Sequence, residues 1–179
     1  MKLQSNPLLI ETLLKPYRQT LGNDFTAYRN HCCRVYNFCL AISGKGVEEE
    51  EKIAIAAVFH DIGIWTHKTF DYLESSRRLV RSYLERSGKS AWSDEIEAMI
   101  EEHHKITSYK ANPAWLVEAF RKADLVDISC GFIRFRLDSA FVREVLDEFP
   151  NTGFHKTLIR LTKLRFRSHP FDPLPMMKW

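Results

Sequence analysis

Two histidines and three aspartates fall where helical spacing turns them inward. Tyr28, His31, Val35 and Phe38 share one stripe; Ile53, Ala57, His60 and Asp61 share a second; Val117, Phe120, Asp124 and Asp127 share a third. A carboxylate buried in an apolar core is costly unless it is paired or bound to a metal. Each residue alone has an ordinary reading: His31 as a satisfied core histidine, Asp124 as a partner of Arg121 or Lys122. Together they point to one divalent ion held by imidazole and carboxylate, with iron, manganese, cobalt, nickel and zinc all compatible.

Other residues with chemistry lie close by in the sequence. Ile96, Ile100 and His104 are four apart, so His104 points inward and His103 lies beside that stripe. Either histidine can contact a substrate, donate a proton or bind a metal; the alternative is an imidazolium at a helix end. Arg34 follows His31 by three. It can hold a phosphate bidentately or pair with Asp127 and orient the site, and the second role is preferred. Trp65 and Phe70 can wall a flat substrate or simply pack. Lys68 and Lys105 are candidate cations for developing charge.

These side chains need helices to position them. The sequence predicts a first helix from Asn6-Pro7 that kinks or stops near Pro16, and a second over 24–43 ended by Gly44. A third is expected over 47–62, with Glu48 to Glu51 at its electropositive start and Gly63 closing it in a left-handed conformation. Further helices are expected over 72–87, over 93–104 with Ser93 as cap, over 112–129, and near 138–149 and 154–167. Gly44-Lys45-Gly46 reads as a plain loop, and the three-proline tail 168–179 as irregular. No alternating strand pattern appears, so the fold class is all-α. A compact multi-helix bundle is expected as a single domain over 1–179, with its core in 24–130 and C-terminal helices and tail in 138–179.

Composition agrees. Of 179 residues, 45% are hydrophobic and 27% charged, with seven Gly and seven Pro, which excludes collagenous, rod-like and low-complexity chains. The net charge of +3 is too small to argue for nucleic acid. Cys32, Cys33, Cys39 and Cys130 form no CxxC pair and read as reduced, buried thiols. MKLQSNPLLIETLLKP is neither a secretory leader nor a membrane span, so a soluble, cytoplasmic protein is expected. No P-loop, HExxH or GxSxG motif occurs. Lys156, Arg160, Lys163, Arg165, Arg167 and Lys178 face only Asp172 in the last segment. A solvated face, or one serving acidic small molecules, is preferred there to a nucleic-acid strip. The apolar end, Met176-Met177-Lys178-Trp179, is expected to pack on the domain or on a partner subunit in a homo-oligomer.

His31 in HCCRV, His60-Asp61 in FHDIG and Asp124 in KADLVD resemble the H…HD…D signature of the HD-domain superfamily of metal-dependent phosphohydrolases. The resemblance runs from about residue 24 to 130 and includes Arg34-Val35 and Ala123. It implies an all-helical bundle with a metal in a cleft between core helices, and His31, His60, Asp61 and Asp124 as ligands. It implies activity on phosphate esters, often nucleotides, with hydration and oxygenation as minority chemistries. This chain departs from common members at Ile64, where many carry lysine, which makes Lys68 the substitute candidate. Two-metal members add a histidine after HD and then a His-His pair. The pair is present as His103-His104, but WTHKTFDYLESS offers only His67 and Glu74, so one metal is favoured and a second stays open. The expected enzyme activates water on the metal. Asp61 orients that water, His104, Lys68 or Lys105 neutralise charge, and Arg34, His103, Lys105 and Trp65 are candidate substrate contacts. A lyase or hydratase on the same fold, or a non-catalytic metal-binding regulatory module, are the alternatives.

Overall fold

The computed structural model describes residues 2–44 and 46–178. Ten α-helices are described: α1 (Leu8–Leu14), α2 (Arg18–Leu21), α3 (Phe25–Ser43), α4 (Val47–Phe59), α5 (Gly63–Thr66), α6 (Leu73–Arg86), α7 (Ser93–Glu102), α8 (Val117–Ile128), α9 (Ser139–Glu148) and α10 (Phe154–Ser168). No strand occurs among the described residues; the nearest thing is a lone parallel bridge between Lys105 and Lys178. Pro16 sits in a 3-10 turn between α1 and α2, where its missing N–H is tolerated. Lys45 and Trp179 lie outside the described residues, and so do the parts of the loop and tail readings that involve them.

Helix α3 runs through the middle, packed mainly on α8 and α4. It is buried nearly all round, so its polar residues must find partners inside. Asn30 Nδ2 donates to the Pro150 carbonyl at 2.8 Å, and Asn37 accepts from the Gln4 N–H at 2.8 Å. Cys32, Cys33 and Cys39 are free and buried as expected, and burial pushes the Cys33 thiol up to about 12. Cys130 departs from that reading: it is exposed, at positive φ just beyond the end of α8.

Helix starts show where local signals compete. Asp138 caps α9 with its side chain, accepting from the N–H groups of Ala140 and Phe141 at 2.8 and 3.1 Å. Ser93 does not cap α7; it is the first helical residue, after Trp92. The helix expected from residue 112 begins only at Val117, because Asn112 Oδ1 accepts from Ala114 N–H and holds a turn there. The loop before it is tied down by Glu118, which accepts from Tyr109 N–H, while its partner Arg121 donates to the Lys105 carbonyl.

Gly44 ends α3 at φ 62° as expected, but Gly63 does not end α4. It opens α5, and its φ is not left-handed. Glycine is required there by distance. A Cβ would stand 2.6 Å from the Tyr72 carbonyl oxygen and 2.9 Å from Ser76 Oγ, because the start of α6 presses on this turn. The Gly63 N–H donates to that same Ser76 Oγ at 3.0 Å.

Two predictions follow from this packing. Gly63→Ala will force α6 away and lower stability by about 1–3 kcal/mol, measurable by denaturant unfolding. Burial works against charge on Glu118, yet Arg121, the Tyr109 N–H and Lys122 hold its carboxyl at about 2, below its ordinary 4.5. Its contribution is therefore present above pH 4.5 and lost as pH falls toward 2. The stability gap between wild type and Glu118→Gln will be constant near neutrality and close over that acid window.

Candidate metal centre

Four of the residues on the inward stripes converge. His31 comes from the middle of α3, His60 and Asp61 from the turn that ends α4, and Asp124 from α8; all four are buried. His31 Nε2 lies 2.9 Å from His60 Nε2. Asp61 Oδ2 stands 3.7 and 3.6 Å from these two nitrogens, and Asp124 Oδ1 stands 3.7 and 3.8 Å from them. Donors bound to one ion at about 2.0–2.2 Å are separated by about 3.0–3.5 Å, so the spacing suits a common cation.

Hydrogen bonding fixes which lone pairs point inward. His31 Nδ1 donates to Asp127 Oδ2 at 2.6 Å, and His60 Nδ1 donates to the Ala57 carbonyl at 2.9 Å. Both Nε2 lone pairs then face each other at 2.9 Å, an arrangement that repels unless positive charge lies between them. Electrostatics within the cluster are uneven. Burial drives the His60 imidazole down to about 3, with His31 and His103 adding to the effect against Asp61. Burial would raise the Asp61 carboxyl, but His60, His103 and His31 hold it well below the usual range. Burial pushes Asp124 up to about 6, helped by Asp61 and Asp127. His31, His60 and Asp61 group as converging donors with the composition and spacing to hold a divalent cation, and Asp124 joins them through its 3.7 and 3.8 Å approaches to the two imidazole nitrogens.

A second group shares Asp61. His103 Nε2 lies 3.5 Å from Asp61 Oδ1, and neither atom has a hydrogen-bond partner among the described residues. His103 Nδ1 donates to the Ile100 carbonyl at 2.6 Å, which turns its other lone pair toward Asp61. His104 Nδ1 is 3.9 Å from Asp124 Oδ2, and its Nε2 is 2.8 Å from the Tyr72 hydroxyl. Asp61, His103 and His104 thus form a second set of converging donors. Asp61, Tyr72 and His104 line one cavity of about 540 Å³.

The other sequence candidates separate. Arg34 is buried and cannot reach a substrate: its Nε and Nη2 donate to Asp127 and its Nη1 to the Phe149 carbonyl. That is the preferred pairing role, and the phosphate-clamp alternative is set aside. Lys105 stays close, lining a smaller cavity of about 250 Å³ with His103, His104 and Asp124, and pairs with Glu102. Lys68 is corrected: it is exposed at φ 50° and lines a separate depression. Trp65 lines that same depression, donates to Asp24 at 3.0 Å and packs on Tyr28, so it does not wall the cavity above Asp61. His67 is exposed against Thr66, and Glu74 pairs with Arg77 and Arg78, so neither joins the cluster. Asp124 pairs with neither Arg121 nor Lys122, both of which turn to Glu118. Tyr72, which holds His104, had no spacing signal; only its place after Asp71 at a helix start marked it.

The HD domain family model matches residues 28–130, more than half of the chain. The chain belongs to the HD domain family, whose members are generally metal-dependent hydrolases. Comparison with curated proteins and with solved structures gives no match. No helix among the described residues is long and apolar enough to cross a membrane.

Asp127→Asn tests how the cluster is held. It weakens the acceptor that fixes the His31 tautomer and leaves the buried Arg34 guanidinium without its counter-charge. Metal affinity, measured by competition with a chelator, will fall about 10–100-fold. Unfolding will show a separate loss of about 3–5 kcal/mol in the metal-free protein.

Proposed function

We propose that this chain is a metal-dependent phosphohydrolase acting on a small-molecule phosphate ester. The observation that carries the reading is the pair of opposed Nε2 lone pairs, flanked by two carboxylates, beside a cavity that also reaches His104. His31, His60, Asp61 and Asp124 would hold one divalent ion. A divalent ion there supplies Lewis acidity toward a phosphoryl oxygen and a nucleophilic water at neutral pH.

The chain's own residues do the rest. Asp61, held ionised by the histidines around it, accepts a hydrogen bond from the attacking water and orients it. Burial keeps the Tyr72 phenol protonated, so its O–H donates to His104 Nε2. The Nδ1–H of His104 is then the donor for a phosphoryl or leaving-group oxygen. Lys105 adds positive charge on the far side of the His103–His104 pair.

A second reading has an observation of its own. The unpartnered Asp61 Oδ1 and His103 Nε2 face each other at 3.5 Å, which favours a second ion shared through Asp61. In that case His104 offers its Nδ1 lone pair, and its Nε2–H donates to the Tyr72 oxygen.

Elemental analysis with a panel of phosphomonoesters, nucleotides and small nitriles tests both readings. The expected result is one metal per chain, turnover of phosphate esters, and loss of metal in Asp61→Ala. His104→Ala is expected to cut turnover about 10²–10⁴-fold with the metal retained. Two metals per chain, one lost in His104→Ala, select the second reading. No ester turned over with any of the five metals, while a nitrile is hydrated, replaces phosphohydrolase by hydratase.

A further inference from the structure

The cavity that reaches Asp61 and His104 exposes mostly hydrocarbon, from Phe70, Ile128, Ile159, Leu174, Met176 and Met177, and beside Asp61, Tyr72 and His104 its polar lining is His155, Thr162 and Lys163. Its volume, about 540 Å³, lies in the range of about 300–1,000 Å³ that small-molecule sites occupy. Lys163 is the one lysine or arginine among the described lining residues. A nucleotide brings a base and a ribose with many donors and acceptors, and these walls would leave most of them unpaired.

The walls also have a separate origin from the metal cluster. The part matched to the HD family contributes Asp61, Phe70, Tyr72, His104 and Ile128. Helix α10 contributes Leu158 and Ile159 together with the polar His155, Thr162 and Lys163, and the tail contributes Leu174, Met176 and Met177. The tail is held in place by the Lys178–Glu101 ion pair, by Ile106 N–H donating to the Lys178 carbonyl at 2.8 Å, and by Met176 buried in one cluster with Ile64, Tyr72 and Leu73. A segment beyond the family core is thus folded back to cover the site with hydrocarbon.

We propose that the substrate is an amphiphile: an anionic phosphate monoester of an apolar alcohol, its alkyl or aryl body lying in the cavity between α10 and the tail. This rests on the phosphohydrolase reading for the reacting group, and on the cavity alone for the apolar body. Hydrolysis breaks the bond to the ester oxygen, adds water, and yields the apolar alcohol and inorganic phosphate. Lys163 lies on the cavity wall and on the outer, basic face of α10, where an anion approaching from solvent meets it.

The test uses the metal-loaded full chain with ethyl, butyl, hexyl and octyl phosphates, adenosine 5′-monophosphate as the nucleotide, and the matching n-alkylphosphonates as non-hydrolysable ligands. kcat/KM is expected to rise about fourfold per methylene until the cavity is full, with the nucleotide below hexyl phosphate. Phosphonate affinity, measured by calorimetry, is expected to rise in parallel. Ile159→Lys, at a half-exposed wall position that leaves the core intact, is expected to flatten both gradients. If no ester is turned over but phosphonate affinity climbs with chain length, the phosphohydrolase reading fails and the apolar-body assignment stands. Flat phosphonate binding, or a nucleotide preferred over hexyl phosphate, overturns the proposal.

Discussion

The rest of the site depends on one buried ion pair. Asp127 is fully enclosed between α3 and α8, where an unpaired carboxylate would be costly. Arg34 meets it with two N–H groups, and against the upward push of burial the guanidinium, with His31, holds the Asp127 carboxyl far below its usual range. The remaining Arg34 donor goes to the Phe149 carbonyl at the end of α9. Three helices are thereby locked in register by one guanidinium. Such a pair adds little net stability compared with a well-packed apolar replacement. Its consequence is directional: Asp127 Oδ2 takes the His31 Nδ1 proton, so the Nε2 lone pair of His31 can point only at His60.

Charge balance carries the argument from that lone pair to a divalent ion. Arg34 neutralises Asp127, so the unbalanced groups at the centre are Asp61 and Asp124, with His31 and His60 offering lone pairs. Without added positive charge, burial sets these groups against one another: Asp124 is pushed up to about 6 and His60 down to about 3. Two carboxylates ionised together carry two negative charges, which a divalent cation cancels while also separating the opposed nitrogens. His103 Nε2 stands 3.5 Å from Asp61 Oδ1, and against the downward push of burial Asp61 and Asp124 raise the His103 imidazole, so this ring answers part of the same negative charge.

What the sequence made legible follows from periodicity. His31, His60, Asp61 and Asp124 sit on regular helices or at a helix end, where spacing alone decides direction, and all four converge. The three-residue step from His31 to Arg34 and from Asp124 to Asp127 gave the supporting pair for the same reason. Trp65 lies within the single turn of α5 and Lys68 just beyond it, where the element is too short for a period to fix the direction of a side chain, and both turn toward another depression. Gly63 was legible as a constrained position but not for its cause. The constraint is the Tyr72 carbonyl, nine residues away in sequence and 2.6 Å from where a Cβ would be. Asn112 carried two signals, a helix start and an Asx turn, and the turn prevailed because Leu116 N–H already had an acceptor in Glu95. Tyr72 and the tail residues over the cavity were the least legible, since their roles depend on contacts between segments far apart in the chain.

The division between cluster and cover has an energetic meaning. Interactions with the reacting group are set by the buried cluster, which tolerates little change because His31, Arg34 and Asp127 depend on one another for their partners. Apolar walls contribute binding in proportion to the area they cover, and such energy can orient the reacting group from a distance. The tail that completes these walls is held by Lys178 paired with Glu101 and Glu102, by Arg165 donating to the carbonyl and carboxylate of Asp172, by the hydrogen bond from Ile106 N–H to the Lys178 carbonyl, and by the burial of Met176. The cluster and its cover therefore act on different parts of a bound molecule, the first through fixed donors and charge, the second through buried area, with the Arg34–Asp127 pair enclosed behind both.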